Sequence, residues 1–154
     1  MKKYYIAYGS NLNKVQMAYR CPRARALGSG KIRDWSLAFR GSKTGSYLTI
    51  DRRKGACVPV GVWEITEADE RALDRYEGCP TFYYKTTLPV TYSDAQGDRR
   101  DVEAIVYIMH EDRPLGVPSA SYIRTCAQGY VDFGLDLEYL KDAVLTAPEL
   151  ARKN

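Results

Sequence analysis

Short segments rich in β-branched and aromatic residues recur along this chain, and clusters of Gly, Asp or Asn separate them. Such segments predict β-strands, because branched and aromatic side chains pack well on a pleated, half-buried surface. About six strands are predicted in this way, at residues 3–8, 35–39, 46–50, 58–65, 83–92 and 101–109. The sequence SDAQGD at residues 93–98 predicts a hairpin connection between the last two strands. This number of strands in a short chain favours a curled or closed sheet.

Four segments carry helical signals. Asn11 is predicted to cap a short helix through residues 13–20. Thr66 opens a second helix, in which Asp69 has the third position of a capping box and Gly78 ends the run. Two further helices are predicted at residues 119–134 and 136–145. The sequence therefore predicts an α+β fold, in which three to four peripheral helices surround a small mixed, barrel-like sheet.

The length and the charge of the chain limit its class. The 154 residues suit a single domain, residues 1–154, and the sequence ELARKN at residues 149–154 is expected to be a flexible end. The formal net charge is +4, and the basic residues are scattered, without a dense stripe. We therefore expect no binding to nucleic acid, although the charge is compatible with a small anionic ligand. Because the start lacks the apolar region of a secretory signal and no segment approaches the length of a membrane span, we expect a cytoplasmic protein with no membrane partner.

The inventory of reactive side chains is small. The four cysteines are widely spaced without a C-x-x-C pair, which argues against a zinc site and a redox motif and favours reduced, hydrophobic cysteines. His110 is the single histidine, so the sequence excludes a histidine-based metal cluster. The only G-x-G, at residues 28–30, lacks the pattern of a nucleotide site, and the sequence contains no P-loop. If the protein is an enzyme, we expect its proton carrier to be a carboxylate.

Glu77 is the carboxylate that the helical pattern favours. At about 100° per residue, Ala72, Leu73 and Tyr76 fall on one arc of the second helix, and Glu77 lies at the edge of this apolar face. It also lies in the last turn, where the helix dipole disfavours a negative charge. Both effects predict a pKa raised towards neutrality, where a glutamate can take and return a proton. A solvated Glu77 without a catalytic role fits the same pattern, and Asp69 is a rival that its capping position explains.

Five motifs occur in a characteristic order and spacing: YIAYGSNL at residues 5–12, GVWEIT at 61–66, ALDRYEG at 72–78, the tyrosines that follow, and SASYIRTCAQGY at 119–130. Taken together, they resemble the γ-glutamylcyclotransferase family, also described as the AIG2-like group. The resemblance covers most of the chain. The pairing of YGSN near the start with YEG in mid-chain is far more specific than either motif alone.

The resemblance implies a barrel-like α+β fold with a central cavity. It also implies an enzyme that acts on a small γ-glutamyl substrate, releasing 5-oxoproline and a free amine or amino acid, with no metal ion and no organic cofactor. By motif position, Glu77 corresponds to the general acid/base of the family, and residues 5–10 correspond to the loop that holds the γ-glutamyl group. The substrate-binding residues implied by the resemblance are Tyr5, Ile6, Ala7, Tyr8, Gly9, Ser10, Asn11, Tyr84 and Tyr122.

Several of these assignments have a second interpretation. YGSN also fits a turn in which Asn11 caps the next helix, and both interpretations can hold together. Tyr122 lies on an apolar stripe and, without the family, would be assigned to the core. Tyr83 and Tyr84 both follow the YEG motif, and the sequence does not distinguish which of them faces the cavity. Arg20 is a candidate partner for the carboxylate of the substrate, although a surface role is favoured.

Three functions are compatible with the sequence. The first is an intramolecular cyclotransferase, with backbone N–H groups around Gly9, Ser10 and Asn11 binding an anionic oxygen of the substrate. The second is a non-catalytic module that binds a γ-glutamyl or amino-acid-like molecule on the same fold, and the third is a tyrosine-rich barrel that binds single-stranded nucleic acid. Glu77 favours the first over the second, and the modest charge argues against the third. Family members differ in oligomeric state, so a homodimer stays an open expectation.

Overall fold

The computed structural model describes residues 2–42 and 45–153. Within these residues, five strands form a closed barrel, in agreement with the predicted α+β, barrel-like fold. The strands are β1, Lys3–Ala7; β2, Arg25–Ser42; β3, Gly45–Ile65; β4, Tyr83–Asp94; and β5, Arg99–Met109. Their order around the barrel is β1-β3-β2-β4-β5. A parallel pairing of β1 with β5 closes the barrel, and all the other neighbours just given pair antiparallel.

The structure has five strands where about six were predicted, because two of the predicted strands are one. Residues 46–50 and 58–65 both lie in β3, whose backbone continues to pair with β2 on each side of the charged segment 51–54. Asp51 and Gly55 predict a break between the two segments, but the backbone hydrogen bonds of a sheet do not require apolar side chains. For the same reason β2 begins at Arg25, well before the apolar segment that predicted it, and includes the glycine-rich residues 28–30.

Four α-helices and one turn of 3₁₀-helix complete the fold in the described part of the chain. The helices are α1, Lys14–Arg20; α2, Glu67–Tyr76; α3, Ala120–Phe133; and α4, Glu138–Arg152, and the 3₁₀ turn spans Ser10–Leu12. The predicted capping box of α2 is confirmed, since the Thr66 hydroxyl accepts from the Asp69 N–H and the Asp69 carboxylate accepts from the Thr66 N–H. The hairpin connection at residues 93–98 is confirmed as well.

The prediction that Asn11 caps the first helix is wrong. The cap of α1 is Asn13, whose side-chain oxygen accepts a hydrogen bond from the Gln16 N–H at 3.0 Å. Asn11 lies in the 3₁₀ turn instead and is only 4% exposed. Two asparagines near a helix start satisfy the same local rule, and tertiary packing decides between them. The side chain of Asn11 is therefore available for other contacts.

The last helix is longer than predicted. Helix α4 continues to Arg152, so residues 149–152, which were expected to begin a free end, are helical. Asn154 lies outside the described residues. Pro148 is tolerated inside this helix, and the neighbouring Ala147 is buried, so packing supports the final turns.

One continuous core fills the barrel and extends beneath the helices. Its fully buried members include the valines of β3, Val58, Val60 and Val62. The 3₁₀ turn is pressed against α3 at Gly129, where an added Cβ would lie 2.5 Å from the Cβ of Leu12. The absence of a side chain at this position thus allows the turn to lie in the gap between the barrel and α3, at the end of β1.

Two further properties concern the same described residues. No helix in residues 2–42 and 45–153 combines the length and the apolar character needed to cross a membrane. Across those ranges, no three His, Cys, Asp or Glu side chains are grouped so that they could hold a metal ion. The four cysteines are free thiols.

Candidate active site

A cavity of about 360 Å³ lies where the end of β1, the 3₁₀ turn and the end of α2 meet. It brings together residues that are far apart in sequence, including most of the predicted site. The residues lining it are Tyr5, Tyr8, Gly9, Ser10, Asn11, Gln16, Arg20, Tyr47, Leu48, Tyr76, Glu77, Phe82, Tyr83, Tyr107, Tyr122 and Thr125. The cavity is therefore walled mainly by tyrosines and carries one carboxylate and one guanidinium, among the residues described.

Glu77 is placed in the cavity by the end of α2. Its backbone N–H donates to the carbonyl of Leu73 at 2.8 Å, so its backbone still belongs to the last turn. Gly78, with φ of +60°, then turns the chain away in a conformation that favours glycine. Burial raises the pKa of Glu77 to about 7, although the charge of Arg20 and a hydrogen bond from Asn11 act in the opposite direction. This is the direction that the sequence predicted for the pKa.

Asn11 lies at the centre of the polar groups in the cavity. Its Nδ2 donates to the Tyr5 hydroxyl at 2.9 Å and to Oε1 of Glu77 at 3.3 Å. Its Oδ1 accepts a short hydrogen bond of 2.6 Å from Nη1 of Arg20. The indole N–H of Trp63 donates to the backbone carbonyl of Asn11 at 3.0 Å, which fixes the turn against β3. Asn11 was predicted to bind substrate, and the structure places it in the cavity wall.

Arg20 lines the cavity, whereas the sequence favoured a surface role for it. Its guanidinium lies over the ring of Tyr76, 3.8 Å from the ring centre, because α1 crosses close to the end of α2. The Nε of Arg20 is buried and has no hydrogen-bond partner among the described residues. A buried donor without a partner is unusual in folded proteins. The Nε atom is also shielded from the open cavity, so this missing partner is a feature of the packing around Arg20.

Four buried phenols of the cavity are neutral at physiological pH. Burial raises the pKa of Tyr5, Tyr8, Tyr83 and Tyr122, and the nearby carboxylate of Glu77 raises each of them further. Two of the hydroxyls are tied to the backbone, since Tyr8 donates to the carbonyl of Tyr107 and Tyr83 donates to the carbonyl of Leu48. The phenols therefore supply fixed dipoles and apolar ring faces rather than charge.

The structure distinguishes the two tyrosines that follow the YEG motif. Tyr83 lines the cavity, and Tyr84 does not. The Tyr84 hydroxyl donates to Glu111 beside a different depression on the outside of the barrel. Successive residues of a strand point to opposite faces, so only one of these neighbours in β4 can face the cavity. The prediction that Tyr84 lies in the cavity is therefore wrong, and Tyr83 is the one of the two that lines it.

Two other predicted residues are also absent from the cavity wall. Ile6 and Ala7 are fully buried in the core, and their strand pairs with β3 at Val62 and Gly61. Tyr122, in contrast, reaches the cavity from α3, and its hydroxyl accepts a hydrogen bond from the Leu48 N–H at 3.0 Å. The loop predicted to hold the substrate therefore contributes some of its residues, while others support it from behind.

Sequence reasoning did not assign several residues of the cavity. The rim contains Tyr47 and Phe82, whose rings make an edge-to-face contact with centres 6.4 Å apart. Tyr47 makes a second such contact with Tyr122 at 5.2 Å. The sequence signal for these residues was the excess of tyrosine, 13 copies against 3 phenylalanines, which indicated aromatic surfaces but not their positions.

Comparisons with known proteins identify what this chain resembles. The sequence model of the family described as "Gamma-glutamyl cyclotransferase, AIG2-like" matches residues 5–124. A gamma-glutamylcyclotransferase of Bos taurus is 30% identical over 144 residues, which are 89% of this chain and 74% of the bovine protein. A gamma-glutamylaminecyclotransferase of Rattus norvegicus is 39% identical over 103 residues, 64% of this chain and 69% of the rat protein. A solved structure of a gamma-glutamyl cyclotransferase has a TM-score of 0.78 at 27% identity and covers 93% of this chain and 86% of its own.

Proposed function

Because this chain belongs to the γ-glutamyl cyclotransferase, AIG2-like family, we propose that Glu77 is the residue that moves the proton in its reaction. The family predicted from the motifs is confirmed, and the protein is a cyclotransferase enzyme. The single observation that supports the role of Glu77 is its position, a carboxyl group facing the cavity with a pKa raised to about 7. A group with such a pKa is both a competent base and a competent acid at neutral pH.

The reaction needs no nucleophile from the protein, since the α-amine of the substrate attacks its own γ-carbonyl carbon. Glu77 first removes a proton from the α-ammonium group. A new N–C bond then closes the five-membered ring of 5-oxoproline, and the bond between the γ-carbon and the leaving nitrogen breaks. The leaving amine receives the proton from Glu77 and takes up the second proton that the attacking nitrogen releases. The product amine is then an ammonium ion, so protons and charge balance.

The cavity contributes by holding the substrate folded back on itself. Pre-orienting two reacting groups in this way contributes on the order of several kcal/mol to lowering the barrier. Tyrosine rings form much of the cavity wall and restrict the space that a γ-glutamyl group would occupy. We assign this shaping role to Tyr5, Tyr8, Tyr83 and Tyr122.

Arg20 is the residue to which we assign the α-carboxylate of the substrate. A guanidinium binds a carboxylate with paired, charge-assisted hydrogen bonds, and that of Arg20 is the one cationic group lining the cavity among the described residues. The first N–H groups of a helical turn also lack partners within that turn, so those of Ser10 and Asn11 add donors for an anionic oxygen.

The substrate is a small γ-glutamyl compound, and two classes of leaving group are candidates. The printed names of the relatives include both a γ-glutamylcyclotransferase and a γ-glutamylaminecyclotransferase. A panel should therefore contain γ-glutamyl amino acids and γ-glutamylamines. A homodimer stays a prediction.

The proposal is tested by measuring release of 5-oxoproline from this panel by the wild type, by Glu77→Gln and by Glu67→Gln. Glu67 is an exposed glutamate at the start of the same helix, so its variant is a matched control. Loss of a general acid/base lowers kcat by about 10²- to 10⁴-fold, and we expect this loss for Glu77→Gln only. Wild-type activity that survives in Glu77→Gln would refute the role of Glu77, whereas a wild type inactive on every compound would favour a binding module.

A further inference from the structure

The hydrogen bonds of Asn11 use every polar atom of its side chain. Nδ2 has two hydrogens, and its two acceptors are Tyr5 Oη and Glu77 Oε1. Oδ1 accepts from Arg20, and the side chain is almost completely buried. An amide in this state has little capacity left for a substrate. The contacts of Asn11 therefore need an explanation other than substrate binding.

Arg20 and Glu77 are opposite charges in one cavity, yet they do not form an ion pair. The salt bridges found among the described residues, with N–O distances up to 4.0 Å, do not include one between these two. Asn11 lies between them, donating to the carboxylate at 3.3 Å and accepting from the guanidinium at 2.6 Å. The guanidinium of Arg20 also stacks on the ring of Tyr76, which limits its movement towards Glu77.

We propose that Asn11 is a positioning residue that keeps Arg20 and Glu77 apart, so that the guanidinium stays available for the α-carboxylate of the substrate and Glu77 stays a base. The proposal rests on the proposed function of Glu77 and assigns Asn11 no contact with the reacting atoms. A side-chain amide suits this position because it is neutral and has both a donor and an acceptor. The donor serves the carboxylate of Glu77, and the acceptor serves the guanidinium of Arg20. The Trp63 indole fixes the backbone of Asn11, so the spacer does not move away.

Arg20 is the charge that can change the basicity of Glu77. The titratable and charged groups that face Glu77 are Arg20 of α1, Tyr5 and Tyr8 of β1, Cys79 between α2 and β4, Tyr83 of β4 and Tyr122 of α3. Burial raises the pKa of each of these phenols and of the thiol. All of them therefore stay neutral in a titration between about pH 5 and pH 8. Direct contact with a guanidinium typically lowers a carboxyl pKa by about 1–3 units. Removal of the spacer is therefore expected to act through Arg20.

The experiment follows the Glu77 carboxyl group by ¹³C NMR titration in the intact protein, which needs no substrate. Asn11→Ala removes the hydrogen bond that lowers the pKa of Glu77, which alone would raise the midpoint, but it also opens the path between Arg20 and Glu77. Because direct contact with a guanidinium is the larger of the two effects, we expect the midpoint of Glu77 to fall by about one pH unit or more. Asn11→Asp places a second carboxylate beside Glu77 and removes the donor, so we expect the midpoint to rise. Adding Arg20→Gln to Asn11→Ala should return the midpoint to the wild-type value or above it.

The matched control is Asn13→Ala, which removes the cap of α1 from the same stretch of chain. A lost cap lowers the stability of the helix, but it should leave the midpoint of Glu77 unchanged. In steady-state kinetics, Asn11→Ala should also raise KM, because the guanidinium is drawn towards Glu77 and away from the substrate.

The direction of these shifts decides the proposal. It is overturned if Asn11→Ala leaves the midpoint of Glu77 unchanged, or if Asn11→Ala and Asn11→Asp shift it in the same direction. Failure of the proposed function is a separate result, namely a wild type that forms no 5-oxoproline from any γ-glutamyl compound. The NMR titration still tests the position of Asn11 in that case.

Discussion

Glu70 and Glu77 are two carboxylates about two helical turns apart, one inside α2 and one directly after it. Both are partly buried, and burial raises the pKa of each. Glu70 lies 2.7 Å from the ammonium of Lys3 and 2.8 Å from that of Lys85. These hydrogen bonds and charges outweigh burial, and the pKa of Glu70 lies below its ordinary value. For Glu77 burial prevails, and its pKa is about 7.

The difference between the two shows that burial alone does not make a carboxylate basic. The side chain of Glu70 is only 13% exposed, yet it stays ionised because two cations contact it. Glu77 contacts a neutral amide, and Arg20, the one cation in its cavity among the described residues, is held at a distance. Contact with a cation therefore separates a structural carboxylate in α2 from a candidate catalytic one at the end of that helix.

The largest expected effect is on the free energy of unfolding, which should change in opposite directions in Glu77→Gln and Glu70→Gln. Because the folded-state pKa of Glu77 is above its ordinary value, ionising Glu77 destabilises the fold as pH rises from 4.5 to about 7. Glu77→Gln should thus be more stable than the wild type at pH 8, by up to about 3 kcal/mol, and not at pH 4. Urea denaturation at the two pH values measures this.

Glu70→Gln should behave in the reverse way. A lowered folded-state pKa contributes stability above the ordinary pKa, and this contribution disappears as pH falls through the folded-state value. The variant should therefore be less stable than the wild type at pH 7, by about 1 kcal/mol, and the difference should fade in acid. A stability loss of equal size and sign in both variants would remove the distinction between the two glutamates.

The second expected effect concerns the cation that Glu77 does not contact. Arg20→Gln should lower kcat/KM by about 10- to 100-fold, mainly through KM, because a charge-assisted hydrogen bond contributes about 1.5–3 kcal/mol. The same change should raise the pKa of Glu77, since the charge of Arg20 lowers it in the wild type. Steady-state kinetics across pH measure both effects. An unchanged KM would argue that another group binds the α-carboxylate.

The smallest expected effect extends the comparison to two neighbouring tyrosines. Tyr83→Phe removes a buried hydrogen bond to the Leu48 carbonyl at the cavity wall, so we expect kcat/KM to fall by a few-fold. Tyr84→Phe removes a hydrogen bond to Glu111 on the outside of the barrel and should leave kcat/KM unchanged. If the Tyr84 variant were the impaired one, the orientation of β4 relative to the cavity would need revision.

The sequence predicted the features that depend on local rules. The capping box at Thr66 and Asp69 and the end of α2 near Gly78 are written into a few neighbouring residues, and they place Glu77 at the edge of an apolar face. The composition of short segments predicted the strands. It failed at the charged residues 51–54, which continue β3 where a break between two strands was predicted. The association of YGSN with YEG came from the family resemblance, because no local rule connects residues so far apart.

What the sequence could not predict depends on packing between elements. Asn11 and Asn13 are equal candidates for a helix cap, and the position of the 3₁₀ turn against α3 decides between them. Tyr83 rather than Tyr84 faces the cavity because β4 pairs with β5 in one register. Arg20 enters the cavity because α1 lies close to the end of α2, which no sequence pattern indicated.

The most direct test of the account is a ¹³C NMR titration of the side-chain carboxyl groups of Glu70 and Glu77 in the wild-type protein. The account predicts that Glu77 titrates with a midpoint of about 7 and that Glu70 titrates below its ordinary value of 4.5. Two midpoints that coincide in the ordinary range of glutamate would contradict it, because Glu77 would then differ in no way from a structural carboxylate.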